Sequence, residues 1–221
     1  MTGTRKTALV VRGGWKGHWP IEATDRYAAV LEGRGYRVVK SESLDSYLDA
    51  AALAETDLIV QTWTMGTITG EQLAGLSAAV RAGTGFAGWH GGMIDAFRNA
   101  PGYQLITGGQ FVHHPRGFVD YRVRPAPERE SHPLVDGLTG YPVNTEQYYV
   151  HVDPSVDVLA VTDYVDDPDA PGAAGTTMPV VWTRNWGEGR VFVTTLGHKP
   201  DDLTVPQTHE TITRGLIWAT R

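Results

Sequence analysis

The chain has 221 residues, a net charge of −6, 41% hydrophobic and 10% aromatic content, and no cysteine. That composition supports a packed core, and the length suits one domain over residues 1–221. The acidic balance argues against a nucleic-acid surface, because phosphate binding needs a basic field. Without cysteine there are no disulfides, thiolate metal sites or cysteine nucleophiles. The sequence lacks an apolar run of about 18 residues and a charged-then-apolar leader, so the expectation is a cytoplasmic chain with no membrane partner.

Thr7 to Val11 is a continuous apolar run, the mark of a parallel strand covered on both faces, and it breaks at Gly13-Gly14. A helix is predicted over 24–33, with Tyr27, Val30 and Leu31 on one face. Residues 36–40 read as a second strand, 45–54 as a helix, and 57–61 as a third strand running into Thr62-Trp63. The next helix, 69–81, carries Leu73, Leu76 and Val80 on one stripe behind an N-cap at Thr69. Residues 85–88 form a short fourth strand, followed by Trp89-His90-Gly91-Gly92 and a helix through Phe97. This alternation predicts an α/β fold with a doubly wound parallel sheet.

The second half changes character. Strands are predicted at 121–124, 147–152 and 156–162, then a polar loop over 166–175. Val180 to Trp182 and Val191 to Val193 read as a hairpin about Gly187-Glu188-Gly189, packed near the sheet's edge. A helix over 210–219 closes the chain. The expected whole is a parallel core with an antiparallel β extension.

Open α/β sheets bind ligands beyond the carboxyl ends of their strands. Gly13 to His18, Gln61-Thr62-Trp63, His90 and His198 all fall at such ends. Gly88-Trp89-His90-Gly91-Gly92 has the spacing of a nucleophile elbow, where flanking glycines let a sharp turn project its central side chain. With histidine at the centre, that side chain is an acid/base group, a metal ligand or a hydrogen-bond donor. His113 and His114 point opposite ways in an extended chain, so at most one joins a shared site. Glu146 lies beside Tyr148 and Tyr149, whose packing is expected to desolvate its carboxyl and raise its pKa. His132-Pro133 suits a turn, and His18, His151 and His209 also suit ordinary surface positions.

Five blocks recur in a telling order. They are Gly88-Trp89-His90, Gly108-Gly109-Gln110-Phe111 running into His114-Pro115, and His132-Pro133-Leu134 with Gly137-Leu138. Asn144-Thr145-Glu146-Gln147-Tyr148 follows, then Pro179 to Trp182 with Gly187 to Val191 and Gly197-His198. Together they resemble the ThuA-like family of trehalose-utilisation proteins, whose fold is similar to the class I glutamine amidotransferases. The resemblance implies a flavodoxin-like core with His90 where amidotransferases carry cysteine. Amidotransferase chemistry is excluded, since histidine forms no thioester. Asn144 departs from the aspartate usual before that Glu-x-Tyr.

The function implied is sugar metabolism on a disaccharide or its 3-keto derivative, by elimination, hydrolysis or isomerisation. A keto sugar has an acidic proton beside its carbonyl, and a histidine and carboxylate pair can remove it. His90, Glu146 and His198 are the expected catalytic groups, around a divalent metal such as zinc. Trp15, His18, Trp63, Trp89, Gln110, His114 and Tyr148 are the expected sugar contacts. The alternative is a sugar-binding cleft without turnover. Seven tryptophans leave apolar surface that a symmetric homodimer would cover.

Overall fold

In the computed structural model, which describes residues 5–221, the chain alternates strand and helix up to residue 107 and is mostly strand from there to residue 194. The first half contains β1 (Thr7–Gly14), α1 (Pro20–Gly33), β2 (Arg37–Ser41), α2 (Ala50–Ala54), β3 (Leu58–Thr64), α3 (Gly70–Arg81), β4 (Gly85–Trp89), α4 (Gly91–Ile94) and α5 (Pro101–Thr107). The second contains β5 (Gly109–His113), β6 (Val119–Pro125), β7 (Tyr141–Thr145), β8 (Tyr149–Val152), β9 (Asp157–Asp163), β10 (Thr177–Trp186), β11 (Gly189–Thr194) and α6 (Pro206–Ala219).

One sheet of nine strands has the order β2-β1-β3-β4-β11-β10-β9-β6-β7. Its first five strands are parallel, and the remaining four join antiparallel. β5 and β8 form a separate antiparallel pair. The apolar run of β1 explains the layers. Ala8 and Val10 enter one core, Leu9 and Val11 the other, as the two-residue period of a strand requires. Tyr27, Leu31, Ile212 and Leu216 bring α1 and α6 onto the first face. Leu76, Val80, Met93 and Tyr103 bring α3, α4 and α5 onto the second.

Several expectations need correction. The first helix begins at Pro20, not 24, because proline suits the first helical turn and Trp19 caps it with φ 43°. The segment 45–54 divides into a 3-10 turn at Leu44–Leu48 and the short α2. β5 and β7 were not anticipated. The strand expected from 147 begins at Tyr149, because Gln147 is a buried cross-link. Its Nε2 donates to Thr162 Oγ1 at 3.0 Å, and its Oε1 accepts from Val165 N at 2.9 Å. The hairpin of β10 and β11 does not lie at the edge: β11 is inserted between β4 and β10, and the true edges are β2 and β7. The last helix starts at Pro206. Among the described residues, no helix is long and apolar enough to cross a membrane.

This topology sets neighbouring parallel strands β1, β3, β4 and β11 side by side, so the segments leaving their carboxyl ends meet. Tyr121 on β6 donates to the Glu146 carbonyl at 3.1 Å, which fixes the residue after β7 over the same end.

Candidate metal centre

His90 leaves β4 with φ 48° and ψ −147°, a conformation strained for any residue but glycine. The flanking glycines explain how the turn fits. A Cβ on Gly88 would meet Gln61 O at 2.4 Å, and one on Gly92 would meet Thr62 Cα at 2.6 Å. The His90 N–H donates to Thr194 O at 2.7 Å, and its Nδ1 donates to Thr195 O at 2.7 Å. Because a carbonyl only accepts, Nδ1 carries the proton and Nε2 presents its lone pair to the site. Tyr148 stacks on the ring at 4.1 Å.

His18 sits in the 3-10 turn that follows β1, its Nδ1 held at 2.8 Å by Thr64 Oγ1. His198 follows Gly197, beyond β11. Glu146 Oε2 lies 3.2 Å from His90 Nε2, 3.0 Å from His198 Nδ1 and 4.0 Å from His18 Nε2. One ligand atom from each of His18, His90, Glu146 and His198 lies within 4.8 Å of the others. His198 Nδ1 is close to the carboxylate but poorly aligned with it, so this buried nitrogen has no hydrogen-bond partner among the described residues.

Burial and the neighbouring His90 and His198 rings push His18 down to about 2. Complete burial also lowers His90, although Glu146 opposes it. Burial alone would raise Glu146, as the sequence suggested, but the His198 and His90 ring nitrogens packed against its Oε2 outweigh it and hold the carboxyl well below its usual range. That expectation therefore reverses. Near neutral pH, His18 and His90 are neutral and Glu146 is ionised, the state in which these groups ligate metals.

The residues fit a divalent ion of the zinc class. Three imidazoles and a carboxylate are its usual nitrogen and oxygen donors. Two of the imidazoles have their second nitrogen oriented by Thr195 O and Thr64 Oγ1, as ligating histidines do. The third has the orphaned nitrogen that an ion would satisfy.

Around this cluster stands an aromatic rim. Trp15, 49% exposed, meets His18 edge-on at 4.8 Å. Trp19 and Phe118 meet His198 at 5.9 and 5.1 Å, and neither was anticipated. Their only signal in the sequence is position: Trp19 precedes a helix-starting proline, and Phe118 is an aromatic after Gly117 in a loop. His114 Nε2 lies 3.6 Å from Glu146 Oε1, and its Nδ1 donates to Pro115 O at 2.7 Å. His113 bonds Asp167, 2.8 Å distant, and does not join the cluster, but its ring lies stacked 6.3 Å from that of His114 rather than pointing the opposite way, because the strand is irregular between Phe111 and His113.

Other candidate positions lie elsewhere. Trp89 is 2% exposed and packs on Tyr27 in the core, out of reach of a ligand. Gln110 sits on β5 opposite His151, beside a different surface hollow. Trp63 lines a neighbouring cleft. Asn144 points outward and donates to Asp120 Oδ1 at 2.9 Å, so it does not enter the cluster. His209 stacks on Tyr27.

Comparison with known proteins places the chain in a family. A putative ThuA-like protein from Bacteroides uniformis ATCC 8492 superposes with a TM-score of 0.81 at 17% identity, covering 99% of this chain and 93% of that one. One from Parabacteroides merdae ATCC 43184 gives 0.76 at 18%, covering 98% and 90%. A cytoplasmic protein of Salmonella typhimurium LT2 gives 0.68 at 15%, covering 97% and 100%. At such identities these likenesses concern the fold. No curated protein matches the chain. The family model described as ThuA, trehalose utilisation, matches residues 7–219, and the chain belongs to that family.

Proposed function

We propose that this protein is a metal-dependent enzyme of sugar metabolism, acting on a disaccharide or its 3-keto derivative. The observation that carries the reading is the convergence of three histidines and one carboxylate with a buried, unpartnered His198 Nδ1. His18, His90, Glu146 and His198 would hold the ion. The family's association with trehalose utilisation supports a sugar as the substrate. The parallel order β2-β1-β3-β4-β11 supports a flavodoxin-like, doubly wound core in which His90 takes the elbow position.

A divalent ion there would supply Lewis acidity toward a sugar oxygen or a water by admitting that oxygen beyond its four protein ligands. The chain's own groups do the rest. Trp15, Trp19 and Phe118 present exposed aromatic faces for the C–H face of a sugar ring and keep water from the cluster. Glu146 Oε1 faces His114 rather than the other histidines. His114 Nδ1 donates to Pro115 O, so in the neutral ring Nε2 holds a lone pair at the rim. It is placed to take the proton from the carbon beside a keto group and return it to a leaving oxygen. A cytoplasmic location and a homodimer complete this reading; the Salmonella relative is called a cytoplasmic protein.

The test is metal analysis of the purified protein, followed by incubation with glycosides and 3-keto glycosides, with and without zinc, watched by NMR. Retained zinc and metal-dependent product are expected. Zinc retention with sugar binding but no product would favour the non-catalytic alternative, and the absence of both zinc and product would refute the enzyme.

A further inference from the structure

We infer that the cleft where β1 and β3 end is a second sugar subsite, so that the protein takes a two-ring glycoside. One ring lies over the metal cluster and the other between Trp19 and Trp63. The inference rests on the metal-site reading above. The strand order reverses direction at β1 and β3, which is where open α/β sheets form ligand crevices. The cleft there measures about 390 Å³ and is lined by Arg12, Lys16, Trp19, Glu22, Glu42 and Trp63, among others. That volume falls within the range of small-molecule sites, roughly 300–1,000 Å³.

Its walls are built features. The Trp63 indole rests against two glycines: a Cβ on Gly13 would meet the ring at 2.7 Å, and one on Gly66 would meet Nε1 at 2.9 Å. Any larger residue at either position would displace the ring from the cleft. Trp19 belongs to both places, lining the cleft and meeting His198 at 5.9 Å. Two aromatic walls suit the C–H faces of a sugar ring.

The charges select against a phosphate. Arg12 is already paired, with Asp25 at 2.8 Å and Glu42 at 3.0 Å, and the lining adds one further charge of each sign, Lys16 and Glu22. What remains is Arg12 Nε, buried and without a partner among the described residues. A single neutralised donor beside two carboxylates suits a hydroxyl, which both donates and accepts.

The experiment is calorimetric titration of the zinc-loaded protein with trehalose, maltose, sucrose and glucose. At least one disaccharide should bind about tenfold or more tightly than glucose, a difference of ~1.4 kcal/mol. Trp63→Ala should bring that disaccharide to the level of glucose and leave glucose affinity and zinc content unchanged. Ile21, 47% exposed on the cleft wall, gives a variant that spares the core: Ile21→Trp should fill the cleft with the same selective effect. Equal affinity for one and two rings in the natural protein, or an unchanged preference in Ile21→Trp, overturns the subsite. Zinc absent from the natural protein would instead count against the metal-site reading, and the ring preference would still be read by the same titration.

Discussion

Gly91→Ala tests the metal cluster without removing any of its ligands. A Cβ at this position would stand 2.4 Å from His18 Cε1 and 2.6 Å from His18 Nδ1. Ordinary contact begins near 3.4 Å, so the imidazole must retreat by about 1 Å. Metal sites tolerate distance errors of only about 0.2 Å. The ring also gives up its 2.8 Å contact with Thr64 Oγ1. Loss of an orienting partner alone weakens metal binding by about 10–100-fold, or ~1.4–2.7 kcal/mol. The overpacking itself costs about 1–3 kcal/mol of stability, a Tm decrease of ~2–12 °C for a domain of this size. Zinc affinity is read by competition with a chromogenic chelator. The control is His18→Ala with and without Gly91→Ala, since coupling through His18 makes the glycine change silent once the ring is gone. Zinc affinity in Gly91→Ala equal to that of the natural protein would refute the four-ligand assignment.

Three further outcomes are expected. His90→Gly relaxes the strained turn and removes the Nε2 ligand, so zinc should be lost and turnover abolished while circular dichroism stays native; retained zinc would count against it. Burial tends to raise Asp57, but the Thr7 N–H and Lys6 more than offset it and hold its pKa below 3.8, so its stabilisation is present above that value and lost as pH falls through the lower folded value. The Tm difference between Asp57→Asn and the natural protein should therefore be largest near neutrality and shrink in acid, and a difference independent of pH would contradict the assignment. Light scattering at micromolar concentration should give twice the 24.1 kDa chain mass, and a mass near 24.1 kDa would remove the homodimer.

What the sequence made legible was local. The buried runs of β1, β3 and β4 announce themselves because both faces of a parallel strand are apolar. Thr69 is legible as a cap, and its reciprocal bonds with Gln72 complete a capping box. β7 escaped notice because Pro142 and Asn144 are poor strand formers, held by pairing with β6 rather than by propensity. The place of β11 in the sheet depends on a partner more than 100 residues earlier, which no turn signal reports. The site divides the same way. The glycines around His90 mark its elbow, yet the depressed Glu146 carboxyl depends on rings contributed by residues 90 and 198, and tyrosine neighbours pointed the other way. His18 was marked only by its place after β1, which suits a sugar contact or a surface histidine as well as a buried ligand.

The insertion of β11 between β4 and β10 also has a consequence for biosynthesis. Until residues 189–194 have left the ribosome, one edge of β4 has no partner, and that edge belongs to a strand with every residue buried in the finished fold. Open apolar edges are where nascent chains pair wrongly. The same delay governs His90, whose backbone and ring are both oriented by carbonyls at Thr194 and Thr195. A ribosome-bound or truncated chain ending before residue 189 would carry the glycine turn and its histidine but not the acceptors that aim it. The histidine cluster is thus among the last features to form, and an ion would be captured only by the finished chain.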